Sequence, residues 1–203
     1  MTDAPTRDIA DQKKQLRKRI LKVRDELVPT YRIEASLTAG ENLTQWLSFN
    51  PGTVVSGFWP IRSEIDPRPA LSKLRQLGAT LCLPVVVGPS EIVFRELVRG
   101  APMVETGFGT HGPDEPATVL EPNILIIPLS AFDRSGGRLG YGAGFYDRAI
   151  SRMWSVGKSP RLIGFAFADQ QVDEVPLEEH DQLLEAIVTE KEVIQPATRR
   201  TRS

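Results

Sequence analysis

Ile124-Leu125-Ile126-Ile127 is the most apolar strand candidate of the chain, and its reading decides the fold. An unbroken aliphatic run without polar alternation reads as a strand buried on both faces, the pattern of a parallel sheet covered by helices on each side. The strand delivers the chain to Phe132-Asp133-Arg134 and then to Arg138-Leu139-Gly140-Tyr141-Gly142-Ala143-Gly144-Phe145-Tyr146-Asp147-Arg148. The glycines therefore fall beyond a strand's carboxyl end, where open α/β sheets place their ligands. Alternating glycines permit close backbone approach to another molecule, and a helix starting near Gly144 would add unpaired N–H groups flanked by Arg138 and Arg148. A flexible turn would explain the glycines alone, but not Tyr146-Asp147-Arg148 behind them.

Upstream, Thr53 to Phe58 reads as a short buried strand, and Pro67 starts a helix lined by Leu71, Leu74 and Leu77 and stopped by Gly78. This is a strand and its crossover helix. Ala79 to Val87 is the next strand, with Glu91 to Val98 as hairpin partner or edge. Residues 99–122, rich in Gly, Pro, Thr and acids, read as a long loop in which His111 is left unassigned. At the start, Asp8 to Leu27 carries a helical pattern with Leu16, Ile20, Val23 and Leu27 on one face. At about 100° per residue, Lys13, Arg17 and Arg24 fall in one stripe beside that face, either as a solvated basic surface or pointing into a cleft. Thr30 is read as the cap of a second helix to about Leu47, with Leu37, Leu43, Trp46 and Leu47 toward the core.

Downstream come a helix from Gly144 to about Met153, a strand Leu162 to Ala166, a loop with Pro176, Glu178, His180 and Asp181, and a strand at Ala186-Ile187-Val188. The pattern predicts a three-layer α/β sandwich with a mostly parallel central sheet flanked by helices. One domain is expected over residues 8–194, with flexible termini at 1–7 and 195–203.

Lys and Arg number 25 against 26 Asp and Glu, a formal net charge of -1, so no global basic field points to nucleic acid or a membrane surface. No run of apolar residues reaches the roughly 18 that a spanning helix needs. A monomeric, cytoplasmic protein is expected. The single cysteine, Cys82, lies in an apolar run and reads as a buried, inert thiol.

Familiar nucleotide motifs do not fit. A Walker A loop ending in Gly157-Lys158-Ser159 would need glycine where Arg152 stands, and a dinucleotide fingerprint would need glycine at Phe145. No Cys and His occur at zinc spacing. What remains is a phosphate-binding set: glycine backbone, Arg138, Arg148 and the helix-one cations, with Asp147 and Asp181 able to hold Mg²⁺. Trp59 and Glu64, beyond the first strand, suit a flat heterocycle, or equally a core indole beside a solvated acid.

Lys13-x-x-Leu16-Arg17, Trp59-Pro60-x-x-x-Glu64-Ile65-Asp66, the glycine stretch and Pro176-x-x-x-His180-Asp181 together resemble the 5-formyltetrahydrofolate cyclo-ligase family. The likeness spans residues 10 to 192, and the glycine motif is its most specific part. It implies ATP- and Mg²⁺-dependent closure of 5-formyltetrahydrofolate to 5,10-methenyltetrahydrofolate, with release of ADP and phosphate. By that resemblance Lys13, Lys14, Gln15, Leu16 and Arg17, with Arg138 through Tyr146, hold the nucleotide. Trp59 and Glu64 take the reduced folate, and Asp147 and Asp181 the magnesium. Lys13, Arg138 and Arg148 neutralise the moving phosphoryl group. The chain departs from the family at Gly109-Thr110-His111-Gly112-Pro113, which lacks the usual acid and branched apolar residue, and at Phe145, where tyrosine is frequent. Other expectations compatible with these residues are an ATP-using relative with another substrate and a folate or nucleotide binder without turnover.

Overall fold

A computed structural model describes residues 4–107 and 109–197, with side chains from Ile9 onward. Residues 1–3 and 198–203, parts of the expected flexible termini, lie outside the described residues. Helix α1 (Ala4–Glu26) opens the chain, beginning earlier than the expected Asp8. Helix α2 (Pro29–Trp46) follows with Pro29 rather than Thr30 at its start: proline's fixed φ suits the first helical position, so the cap moves to Val28.

Strands β1 (Val54–Ser56), β2 (Thr80–Val86) and β3 (Ile92–Glu96) come next, with helix α3 (Arg68–Gln76) between the first two. Residues 99–122 are not a plain loop. They form a hairpin of β4 (Met103–Gly107) and β5 (Thr110–Pro113), then β6 (Val119–Leu120). The hairpin's register shifts between Glu105 and Gly107, so its sequence never shows the strict alternation that would reveal it. Strand β7 (Ile124–Ile127) leads to the small hairpin β8 (Ala131–Phe132) and β9 (Arg138–Leu139), and then to helix α4 (Phe145–Ser155). Strands β10 (Arg161–Phe165), β11 (Ala186–Val188) and β12 (Val193–Ile194) complete the chain.

The main sheet has 8 strands in the order β12-β11-β10-β7-β1-β2-β3-β6. Its centre, from β11 through β2, is parallel; β12, β3 and β6 add antiparallel margins. Ile124 and Ile126 pack with α2 and α3 through Ala39, Leu43, Ala70 and Leu74. Leu125 and Ile127 pack on the opposite face with Ala149, Ile150 and Met153 of α4. Both faces of β7 are thus covered, which is why its sequence shows no polar alternation, and the result is the expected three-layer arrangement.

This topology also fixes where a ligand can go. From β1 the chain crosses to β2 by α3 on one face, and from β7 it crosses to β10 by α4 on the other. The strand order therefore reverses between β1 and β7, and a crevice opens beyond their carboxyl ends. Helix α1 closes this end of the sheet, burying Ile20 against Ala131, Leu139 and Val175.

Candidate active site

A cavity of about 580 Å³ occupies that crevice. Its walls come from segments distant in sequence: Lys13 and Arg17 of α1, Phe58 to Glu64 after β1, Thr110 and His111 of β5, the run from Arg138 to Asp147, and Glu178 to Asp181. Arg17 is the joint between the two halves that the sequence suggested. Its Nε donates to the Gly140 carbonyl oxygen at 2.8 Å, and burial pulls its pKa down. At Gly142, with φ 100°, a Cβ would meet the Arg17 guanidinium carbon at 3.4 Å. The loop needs glycine there for its left-handed backbone; a Cβ at that distance from the guanidinium would be an ordinary contact.

Lys13 reaches across the cavity mouth. Its Nζ donates to Glu178 Oε2 at 2.7 Å and to Asp181 Oδ2 at 2.5 Å. Burial works to lower its pKa, but the bonds to Asp181 and Glu178 outweigh that and leave it raised, so the ammonium stays charged. Arg138 is more deeply set, its side chain only 4% exposed. Its Nη2 donates to Asp147 Oδ1 at 2.5 Å, and its Nη1 donates to the Gln182 carbonyl oxygen. The Gln182 N–H donates to that same Asp147 oxygen at 3.3 Å, which draws Asp147 and the segment carrying Asp181 together.

Among the described residues, Asp147 Oδ2 and Asp181 Oδ1 keep no hydrogen bond. No group of three or more His, Cys, Asp and Glu able to hold a metal occurs among them either. A magnesium ion here would use one oxygen from each carboxylate and take its other ligands from phosphate and water, the usual habit of that ion. Helix α4 follows Gly144, which offers no side-chain cap, and the positive end of its dipole favours an anion at this point of the cavity wall. The Tyr146 hydroxyl is buried with no hydrogen-bond partner among the described residues, and burial drives its pKa up. An orphaned buried hydroxyl in a cavity wall fits a bound ligand that supplies the missing partner.

The remaining expected residues divide. Trp59 and Glu64 line the cavity. Lys14 and Gln15 are exposed and face away, and Leu16 packs into the small cluster around Ile20. Arg148 is not on the cavity wall, contrary to its expected place beside Arg138. On the outer side of α4 it donates to the carbonyl oxygens of Ala143 and Ser90 at 2.6 and 2.8 Å and lies over the Phe145 ring. One turn into the helix, its side chain is committed to closing the glycine loop from outside. Cys82 is fully buried, and burial pushes its thiol up to about 12, in keeping with an inert role.

A connection that the sequence does not suggest ties α1 to Glu64. Arg24, 1% exposed, donates Nε to Ser63 Oγ at 3.0 Å and Nη1 to Tyr141 OH at 2.5 Å. Tyr141 in turn donates to Glu64 Oε1 at 2.5 Å, and the Ile61 N–H donates to Glu64 Oε2 at 2.8 Å. The helical stripe had already grouped Arg24 with Lys13 and Arg17; its burial could not be read from it. Burial raises the Glu64 pKa despite these bonds. A carboxyl raised in this way stabilises the fold only below its unfolded pKa, and that contribution is lost as pH rises through the folded one. Glu64→Gln should therefore gain in Tm relative to the wild type as pH rises above the ordinary glutamate range. A Tm difference independent of pH in thermal melts would count against a burial-strained Glu64.

Comparison with known proteins agrees with the architecture. Residues 9–190 match the model of the 5-formyltetrahydrofolate cyclo-ligase family. A 5-formyltetrahydrofolate cyclo-ligase of Mycolicibacterium smegmatis is 33% identical over 161 residues, 74% of this chain and 81% of that protein. An Escherichia coli protein of the same name is 29% identical over 176 residues, 84% of this chain and 96% of its own. The solved structure of Aquifex aeolicus 5,10-methenyltetrahydrofolate synthetase superposes with a TM-score of 0.77 at 28% identity, over 94% of this chain and 96% of that one. Because the family match runs from α1 to β11, it covers both halves of the cavity, and the chain belongs to the 5-formyltetrahydrofolate cyclo-ligase family.

Proposed function

We propose that this protein uses ATP to convert 5-formyltetrahydrofolate to 5,10-methenyltetrahydrofolate at the cavity between α1 and the glycine loop. The formyl oxygen attacks the γ-phosphorus of ATP as the bond to ADP breaks, which turns a poor leaving group into phosphate. The neighbouring N10 then attacks the formyl carbon, the carbon–oxygen bond breaks, and N10 gives up its proton as the five-membered ring closes.

The observation that carries this reading is the bond from Arg17 to the Gly140 carbonyl oxygen, which ties a basic helix face to the glycine loop over one crevice. Lys13 and Arg17 then face the phosphates with the N–H groups of the glycine loop and of α4. Such charges act where charge develops, in a site that holds them in advance. Magnesium, held by Asp147 and Asp181, would supply further neutralisation of the transferred phosphoryl group. Arg138 orients Asp147 from behind and Arg148 supports the loop, so neither needs to touch phosphate. Trp59 and Glu64 take the folate, with Tyr141 and Arg24 fixing the carboxyl group. The same reading takes the protein to be a monomeric, cytoplasmic enzyme.

Mixing the protein with ATP, Mg²⁺ and 5-formyltetrahydrofolate should raise the methenyl absorbance band with matching release of ADP. No turnover at high enzyme concentration would overturn the reading. Binding of ATP without any reduced folate would point instead to another substrate, the possibility opened by the unusual hairpin at 109–113.

A further inference from the structure

The hairpin that departs from the family pattern also holds a residue with no role so far. His111, on β5, lines the cavity opposite Trp59, their ring centroids 6.3 Å apart with a 44° tilt. We propose that His111 and Trp59 form a two-ring clamp on a planar ring of the reduced folate, with His111 as a specificity-determining residue. The proposal rests on the cyclo-ligase reading above.

The hairpin is a fixed support rather than a loose loop. Gly112 runs so close over β2 that a Cβ there would meet Val85 Cγ2 at 2.7 Å. This also accounts for the missing acid in the 109–113 stretch, since no side chain fits at Gly112 with the strand in this position. Thr106 and Thr110 join the two hairpin strands through their hydroxyls at 2.9 Å, and Arg95 Nη1 donates to the Pro113 carbonyl oxygen at 3.3 Å.

Trp59 is braced on its own account. The Arg68 guanidinium lies 4.9 Å from the indole centroid and is held by Asp66 at 2.7 Å. Arg68 lines a separate hollow of about 150 Å³ that shares Trp59 with the main cavity. The indole thus partitions the two spaces, with Arg68 in one and His111 in the other. His111 itself is exposed, and its ring nitrogens make no hydrogen bond among the described residues, so the imidazole can turn without breaking a bond. A ring held between two others needs centroids about 7 Å apart, two stacking separations of roughly 3.5 Å. The rings stand at 6.3 Å with a 44° tilt, so the imidazole must turn through that tilt and move slightly outward to admit a third ring. Glu64 lines the same cavity as Trp59 and, on the cyclo-ligase reading, takes the hydrogen-bonding edge of the folate.

Calorimetric titration of the full chain with 5-formyltetrahydrofolate tests the clamp. His111→Ala should raise the folate Kd roughly three- to tenfold, the range for loss of one aromatic partner. ATP affinity should stay unchanged. His111→Phe, which keeps a ring, should return the folate Kd to within about twofold of the wild type, whereas His111→Gln should bind as weakly as alanine. Unchanged folate binding in His111→Ala would overturn the clamp alone, as would rescue by glutamine only or a loss confined to ATP. Failure of the wild type to bind the folate would overturn the cyclo-ligase reading and the clamp with it.

Discussion

Arg138→Ala is expected to destabilise the protein by about 3 kcal/mol, the lower end of the cost of removing one partner from a buried ion pair. For a chain of this size that corresponds to a fall in Tm of roughly 6–12 °C. The lower end applies because Asp147 is 26% exposed while Arg138 is 4% exposed, so water relieves part of the orphaned carboxylate's cost. Arg138 joins three elements: β9 carries it, α4 carries its partner Asp147, and its other nitrogen meets the Gln182 carbonyl oxygen. Arg138→Lys retains the charge but not the fork, and cannot satisfy both acceptors in this geometry, so it should fall between alanine and the wild type. Adding Asp147→Asn to Arg138→Ala should recover part of the loss, since the uncompensated charge disappears with it. Thermal melts of the four proteins decide the matter, and a fall of less than about 2 °C for Arg138→Ala would show that the pair is not a structural tie. The sequence alone suggests a freely projecting phosphate ligand; the buried geometry makes Arg138 part of the fold first.

That difference illustrates what could be read in advance. The position of Ile124 to Ile127 between two helical layers follows from its unbroken apolar pattern, and the side of the sheet on which the glycines lie follows from that strand. The Lys13, Arg17 and Arg24 stripe follows from helical periodicity alone, because α1 is regular along its whole length. Their separate fates do not follow: Lys13 meets two acids, Arg17 a backbone oxygen, and Arg24 is buried beneath Tyr141. These depend on what the glycine loop and the segment around Asp181 present, more than a hundred residues away in sequence, as in the separation of 168 positions between Lys13 and Asp181. Arg148 shows the same limit in reverse. Its place beside Asp147 in sequence says nothing of the roughly 100° that separates neighbours around a helix. The β4–β5 hairpin was hidden for another reason. Two positive-φ glycines, Gly107 and Gly109, and a register shift leave a composition that looks like loop, while the pairing partner is set by contact with β2.

Asp181→Asn is expected to uncouple ATP binding from magnesium. The charges of the site neutralise one another: Lys13 is held by Asp181 and Glu178, and Arg138 by Asp147. A nucleotide arriving alone must compete with Asp181 for Lys13, and a cation arriving alone on the free Asp181 oxygen would face the positive charge of Lys13 on the other. With both bound, magnesium at the free Asp181 oxygen would weaken that carboxylate's hold on Lys13 and leave the ammonium to the phosphate, so each ligand would lower the other's cost. By linkage the effect is reciprocal, and couplings of this kind amount to about 5- to 150-fold in affinity. With asparagine at position 181, Lys13 keeps only Glu178 as an acid partner. ATP titrated in the presence of a chelator should then bind more tightly than to the wild type, while the gain from added Mg²⁺ should shrink by roughly fivefold or more. Turnover should fall by about 10²- to 10³-fold, because the magnesium that Asp181 would hold is no longer fixed against the moving phosphoryl group. An unchanged ratio of ATP affinities with and without Mg²⁺ would show that Asp181 does not hold the metal, and would leave Lys13–Asp181 as a salt bridge that only closes the cavity mouth.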